Sequence, residues 1–434
     1  MQLDQRPRPP GSRKKIATSL AAAACALLGT SSGPTVAQEQ ERRWRFDTAL
    51  MYYDEGDRVR DVSANFLVQR IYRNFHNLTL KLTVDSLTGA SASGAVPARA
   101  AQTFTTPSGN DSYTVGAGET PLDPTFFDTR FALSAAWSQR FAKMSSFEVG
   151  LSVSKEFDYF HAGVNGTYSR DFNQRNTTLS IGLAFASDSI DPEGGTPAPL
   201  SPMLPEDDLS NRLGSDSKTV GDLTIGVTQI FGRRTVAQFN YGFSSSSGYL
   251  SDPYKLLSVV DPLTGDPVAG PGNLNRYLFE ARPDSRTRHT IYGKLRHHLS
   301  RDIVSVSYRF MTDDWGIDSH TLDFRYRFKL ANSYIQPHVR YYMQGAADFY
   351  ARVLFDGDPT PDYASADYRL GEFDAYTLGV KYGRPLGDGK EWGLRVEYYS
   401  QSGRSPPGIA VGALADLELN PTVNAIVVQA GYRF

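Results

Sequence analysis

The 434-residue chain is 40% hydrophobic, carries a formal net charge of -2 and holds 24 Tyr, 24 Phe and 4 Trp against a single cysteine, Cys25. A near-neutral charge without a basic run excludes an electrostatic nucleic-acid binder, and the lone cysteine excludes a disulfide, a thiolate metal site or covalent haem. A mean hydropathy of -0.38, with no apolar run of about 20 residues beyond the N-terminal segment, excludes a polytopic helical membrane protein but not a β-barrel, whose alternating strands average to a polar value.

The chain opens with RKKIATSLAAAACALLGTSSGPTVAQEQ from Arg13. Arg13, Lys14 and Lys15 form a basic n-region, residues 16–29 an apolar h-region, and Thr35, Val36 and Ala37 a small-residue cleavage site. Residues 1–37 are therefore expected to be a signal peptide and 38–434 the exported barrel. The apolar stretch is shorter than the roughly 20 residues a membrane helix needs. Ala22, Ala23 and Ala24 lack the Leu expected before a lipidated cysteine, which argues against lipidation at Cys25.

From residue 44 onward apolar and polar residues alternate with period two. In chain order the predicted strands are 44–53, 59–73, 77–87, 126–140, 146–156, 158–171, 176–187 and 218–231, then 235–246, 286–298, 302–312, 319–330, 333–345, 373–384, 391–400 and 422–434. In the third of these, Leu78, Leu80, Leu82 and Val84 face one way and Thr79, Lys81, Thr83 and Asp85 the other. In the twelfth, Leu322, Phe324, Tyr326 and Phe328 oppose Asp323, Arg325, Arg327 and Lys329.

The connections fall into two alternating classes. Short ones lie at 74–76, 142–144, 173–175, 232–234, 299–301, 331–332 and 385–390, whereas 88–125, 188–217, 247–285, 346–372 and 401–421 are long and rich in Gly, Pro, Ser and Asp. Every long loop falls at one end. The expected fold is thus all-β: a transmembrane, antiparallel up-and-down barrel of about 16 strands with short periplasmic turns and long extracellular loops. In lipid an open sheet edge leaves backbone groups unpaired, so the last strand must pair with the first. Aromatics near strand ends, among them Trp44, Tyr52, Phe127, Trp137, Tyr376, Trp392 and Tyr398, suit interfacial girdles.

The stretches LKLTVDSLTGASASGAVP and QTFTTPSG, then DDWGIDSHTLDFRYRF, QPHVRYYMQGAADFY and the terminal AGYRF, resemble an uncharacterised family of Gram-negative outer-membrane barrels catalogued as a domain of unknown function. The likeness covers most of the mature chain. It implies an outer-membrane barrel and no established activity, and it implies genes for a flavin-transferring enzyme and a small lipoprotein nearby.

Parity places Arg288, Lys294, Arg296, Arg309, Arg325, Arg327, Lys329, Arg340, Lys381 and Arg395 on the inward face of the second half. Asp47, Asp85, Asp128 and Glu148 point inward from the first half. Two such halves would set up a transverse field that favours anions beside the basic wall; the plainer reading is that the charges pair locally and solvate the lumen. Asp313, Asp314 and Asp318 invite a calcium reading, although their spacing is not that of an EF-hand. Gly316 among them suits a tight turn over Trp315.

His297 and His298 point to opposite faces, and His161, His320 and His338 lie on separate strands without metal-ligand spacing. No nucleophile elbow or zinc motif occurs, and Ser307 and His320 differ in parity, so no enzyme activity and no cofactor are expected. The first reading is a porin-like channel for small polar or anionic solutes. The alternative is a scaffold barrel for a periplasmic or lipoprotein partner, in a redox system whose cofactors reside on that partner, with an outer-leaflet hydrolase as a remote third. The expected surroundings are outer-membrane lipids, and Tyr432 and Phe434 form the expected signal to the barrel-assembly machinery.

Overall fold

The computed structural model describes residues 43–434 apart from 57, 73–75, 90–91, 110, 124, 206–207, 273, 405–410, 418–419 and 421. The expected signal peptide and most of the turn expected at 74–76 lie outside the described residues. The first strands are β1 (Arg43–Asp54), β2 (Arg60–Ile71), β3 (His76–Thr88), β4 (Gln102–Thr105), β5 (Ser112–Val115), β6 (Phe127–Ala142) and β7 (Ser145–Lys155). There follow β8 (Tyr159–Phe172), β9 (Thr177–Ile190), β10 (Asp216–Ile230), β11 (Thr235–Gly248), β12 (Leu256–Val260), β13 (Tyr277–Phe279) and β14 (Ser285–His298). The last are β15 (Ile303–Asp313), β16 (Asp318–Lys329), β17 (Tyr334–Gln344), β18 (Leu354–Phe355), β19 (Phe373–Gly387), β20 (Lys390–Gly403) and β21 (Val423–Arg433).

Leaving out β4, β5, β12, β13 and β18, the other sixteen close into one barrel, each antiparallel to its neighbours in chain order. All sixteen coincide with the strands expected from the alternation. Closure comes from β21 returning to β1, with the register running from Asp47 opposite Arg433 to Asp54 opposite Ile426. The Phe46 and Phe434 backbones exchange both hydrogen bonds at 2.9 Å, and their rings stack 5.1 Å apart.

The alternation decides which face looks where. Leu50, Leu151, Leu183 and Leu378 are each more than half exposed, and they share their strand faces with Phe66, Phe131, Ile291, Phe324 and Ile426. A belt of bare aliphatic and aromatic side chains around a closed sheet is unstable in water and matches a hydrocarbon layer. Among the described residues no helix is long and apolar enough to cross a membrane.

The five long connections fold. β4 and β5 form a hairpin, and β12 joins β13 and β18 in a three-stranded sheet. Phe104, Tyr277, Met203, Leu256 and Phe279 are buried in one apolar cluster, and Val96, Val260, Val353 and Leu414 in another. Met203 donates to the Tyr277 carbonyl, Leu256 to that of Ser93 and Ala413 to that of Thr264. These residues leave the ring after β3, β9, β11, β17 and β20, points spread around the whole circumference. Loops that start all around a ring and share one core must cross its mouth. Gly94 shows how tight the joint is: its φ of +97° suits only glycine, and an added Cβ would meet the Leu256 carbonyl oxygen at 2.5 Å.

Candidate functional site

The lumen beneath this loop body holds the charged residues. On each strand the side chains of opposite parity to the apolar belt point inward, and all ten basic residues expected there do so, as do Asp47, Asp85, Asp128 and Glu148. In a ring of sixteen, strands eight places apart are opposed. Asp85 on β3, Asp128 on β6 and Glu148 on β7 therefore face β15, β16 and β17 across the lumen. Asp47 does not: closure seats β1 beside β21, and Asp47 takes an ion pair from Arg433 at 2.6 Å and another from Arg45 at 2.9 Å. Nor is the opposing wall purely acidic, since Asp85 is paired with Arg130.

The basic wall is partly neutralised. Arg325 and Arg340 both lie on Asp323, at 3.1 and 3.0 Å, Lys381 lies 3.5 Å from Glu391, and Arg395 lies 3.8 Å from Glu397. Arg288 donates to the Ser244 hydroxyl at 3.2 Å, and Arg327 to the Gln336 amide oxygen at 2.9 Å while covering the Tyr334 ring. For Lys294, Arg296, Arg309 and Lys329 no acidic partner is present among the described residues. Those four, with Arg327, are among the cations left to act on a solute. All but Arg309 stand toward the short-turn end, where a cavity of about 290 Å³ is lined by Lys81, Lys381, Arg395 and Arg433 with Asp47 and Glu391. A second, of about 650 Å³, lies at the rim beside Arg301, Arg327, Lys329 and Arg384.

One constellation had no sequence signal of its own. His338 Nε2 lies 2.7 Å from Asp323 and Nδ1 2.8 Å from Glu397. Glu397 reaches it across β19, where Gly379 leaves the path clear: a Cβ there would sit 2.4 Å from the Glu397 side chain. Two carboxylates on one imidazole make both ring nitrogens donors, so the ring carries charge and knits β16, β17 and β20 together. Only the register brings His338 and its partners together.

The calcium reading fails on geometry. The Asp313 side chain is fully buried against Arg286, whose Nε donates at 2.8 Å, and it caps the backbone of Trp315 and Ile317. Asp314 accepts from the Thr287 backbone at 2.9 Å. Among the described residues no three His, Cys, Asp or Glu side chains are placed to hold a metal ion. Gly316, with φ of +83°, makes the expected turn, and Trp315 is buried beside it.

Within the loop body, Asp252, Lys255, Glu280, Arg282, Asp367 and Arg369 form a second charge cluster. Arg282 bridges Glu280 and Asp367 at 3.1 and 2.9 Å, Arg369 clasps Asp367 at 2.7 Å, and Lys255 donates to the Ala92 carbonyl at 2.7 Å. Burial pushes the Glu280 carboxyl up from 4.5 to about 7, with Arg282 opposing. A raised acid contributes stability that is complete below its unfolded value and fades as pH climbs through the folded one. Loop closure is therefore expected to be tighter at pH 5 than at pH 8, by about 3 kcal/mol at most. Hydrogen exchange across residues 249–284 checks it: protection should be greater at pH 5, and Glu280→Gln should abolish the difference. Equal protection at both values in the unaltered chain contradicts the role given to Glu280.

These strands make a belted, closed sixteen-strand barrel with a polar lumen. The family described as "Protein of unknown function (DUF3570)" matches residues 17–434. The chain belongs to this family. No curated protein matches the chain. Among solved structures, the chain is similar to a bacterial polysaccharide outer membrane secretin at 10% identity and a TM-score of 0.44, covering 90% of this chain and 97% of that one. It is similar to OccK5 of Pseudomonas aeruginosa at 8% identity and TM-score 0.39, over 91% and 98% of the chains. A mutant ferric enterobactin receptor from Pseudomonas aeruginosa is 9% identical with TM-score 0.39; the match covers 85% of this chain and spans 54% of the receptor. The barrel assignment for this DUF3570 chain rests on its own strand pairing.

Proposed function

We propose that this DUF3570 protein is an outer-membrane channel for small polar and anionic solutes, with the long loops facing outward and closing its mouth at rest. The observation that carries this reading is the set of cations Lys294, Arg296, Arg309 and Lys329, which have no carboxylate partner among the described residues and stand on a polar lumen face. A cation kept in a lumen without a carboxylate partner attracts a mobile anion. In a salt gradient the reversal potential is expected to be that of an anion-preferring pore. Replacing Lys294 and Arg309 together by Gln should reduce that preference several-fold, and cation selectivity in the unaltered protein would remove the role given to the wall.

The folded loop body favours a second reading, a scaffold that receives a periplasmic or lipoprotein partner at the short-turn rim. The two differ in what happens once the loops are loosened: a channel then conducts and a scaffold does not.

A further inference from the structure

Ser152, His161 and Asp188 come from the adjacent strands β7, β8 and β9 and form one hydrogen-bonded file on the lumen face. The register sets Ser152 opposite Gly163 and His161 opposite Asp188. Ser152 Oγ lies 3.2 Å from His161 Nε2, and His161 Nδ1 lies 2.7 Å from Asp188 Oδ1. The Asp188 side chain is 2% exposed; it also takes the Tyr159 hydroxyl, and Lys218 Nζ stands 3.1 Å away. Three donors, one of them the Lys218 ammonium, favour the carboxylate form. The nitrogen facing it must then carry the proton, so Nε2 presents its lone pair and the Ser152 hydroxyl donates. That tautomer is the one a general base needs.

The serine and histidine meet at an open notch. A Cβ on Gly163 would fall 2.8 Å from Ser152 Oγ and 3.2 Å from His161 Nε2, so the missing side chain leaves space where an electrophilic carbon has to approach. Asn165, the next lumen-facing residue on β8, stands opposite Gly150 and supplies an amide on the same row. The neighbouring inward positions are small: Ser134, Ser154, Ala184 and Ala186.

We propose that Ser152, His161 and Asp188 hydrolyse small polar acyl esters inside the lumen. The site looks away from lipid, because Leu151 and Val153 beside Ser152 belong to the outward belt. It lies beneath the loop body, where Ser108 of the loop after β3 bonds Asp158 at the β7–β8 turn. A short acyl group on a polar alcohol fits both the notch and the polar walls.

Ser152 Oγ attacks the ester carbonyl carbon while its proton passes to His161 Nε2, and the carbonyl oxygen gains the negative charge. Collapse breaks the bond between the acyl carbon and the alkoxy oxygen, which leaves with the proton from His161. Water then attacks the acyl-serine and gives a proton to His161, and that proton returns to Ser152 Oγ as the carboxylic acid departs. Tyr159 and Lys218 are positioning residues that hold Asp188.

The test uses the purified full-length barrel, a fluorophosphonate probe and p-nitrophenyl acetate. The probe is expected to label Ser152 covalently, and Ser152→Ala to lose both labelling and esterase turnover. Asp188→Asn should lower kcat by about 10³- to 10⁴-fold with a small change in KM, as expected where the wrong tautomer is held. Ser180→Ala, a lumen serine on β9 outside the file, should leave both unchanged. Heat-modifiable migration shows that each variant is folded, and His161→Gln gives a second loss should Ser152→Ala fail to assemble. The proposal is overturned by a folded barrel that is not labelled, by labelling at another residue, or by turnover equal to that of Ser152→Ala. Conductance is a separate measurement, so the channel reading and this one can fail independently.

Discussion

Deleting Phe434 is expected to cut the yield of heat-modifiable barrel several-fold. The last backbone pair of the closing seam joins Phe434 to Phe46 through two hydrogen bonds of 2.9 Å. Without it, the Phe46 amide and carbonyl face the membrane boundary unpaired, at several kcal/mol each where water is excluded. The ring stack over Phe46, at 5.1 Å, and its continuation to Tyr432, at 5.5 Å, add about 0.5–1.5 kcal/mol per pair beyond burial. Phe434→Ala keeps the backbone pair and loses only the rings, so its yield should lie between the deletion and the unaltered chain. The same two aromatics, outward on alternate positions, are the proposed contact for the assembly machinery. A deletion that assembles as well as the parent refutes both roles.

Asp367→Ala is expected to unlock the loop body without dissolving the barrel. Asp367 is 1% exposed and stands between Arg282 and Arg369. Removing one partner from a buried ionic network leaves the others uncompensated, a cost of about 3–5 kcal/mol. Arg282 keeps Glu280 and Arg369 keeps Asp252, so the cluster, with Lys255 fully buried in the same place and tied to the Ala92 carbonyl, is left with a net positive charge. Among the described residues these ion pairs join loop to loop rather than loop to strand. Trypsin should therefore cut the loops several-fold faster in the variant while the barrel band keeps its migration. Loss of both together would mean that the loops are part of the barrel's own stability.

The barrel was legible because its signal is local. Period-two alternation needs only a residue and the one two places on, and the side of each loop follows from counting strands. Contacts that join distant residues left no such trace. Arg352 bonds the Gly94 carbonyl and Lys255 that of Ala92, yet the loops that carry them read only as Gly-, Pro- and Asp-rich connections. Parity placed Arg325, Arg340 and Asp323 correctly on one face, but their pairing depends on the register between β16 and β17. Asp47 points inward as alternation places it, but its ion pair with Arg433 depends on the register between the first strand and the last. Ser152, His161 and Asp188 each point inward by alternation, and no spacing motif connects three residues that meet only across two strand pairs.

Single-channel recording in planar bilayers tests the central claim, an aqueous lumen closed by a folded loop body, more directly than any other measurement. The unaltered protein is predicted to show rare, small steps, and Asp367→Ala frequent large ones with the same anion preference. Large steady conductance in the unaltered protein with its loops intact, or no conductance in either form, would contradict it.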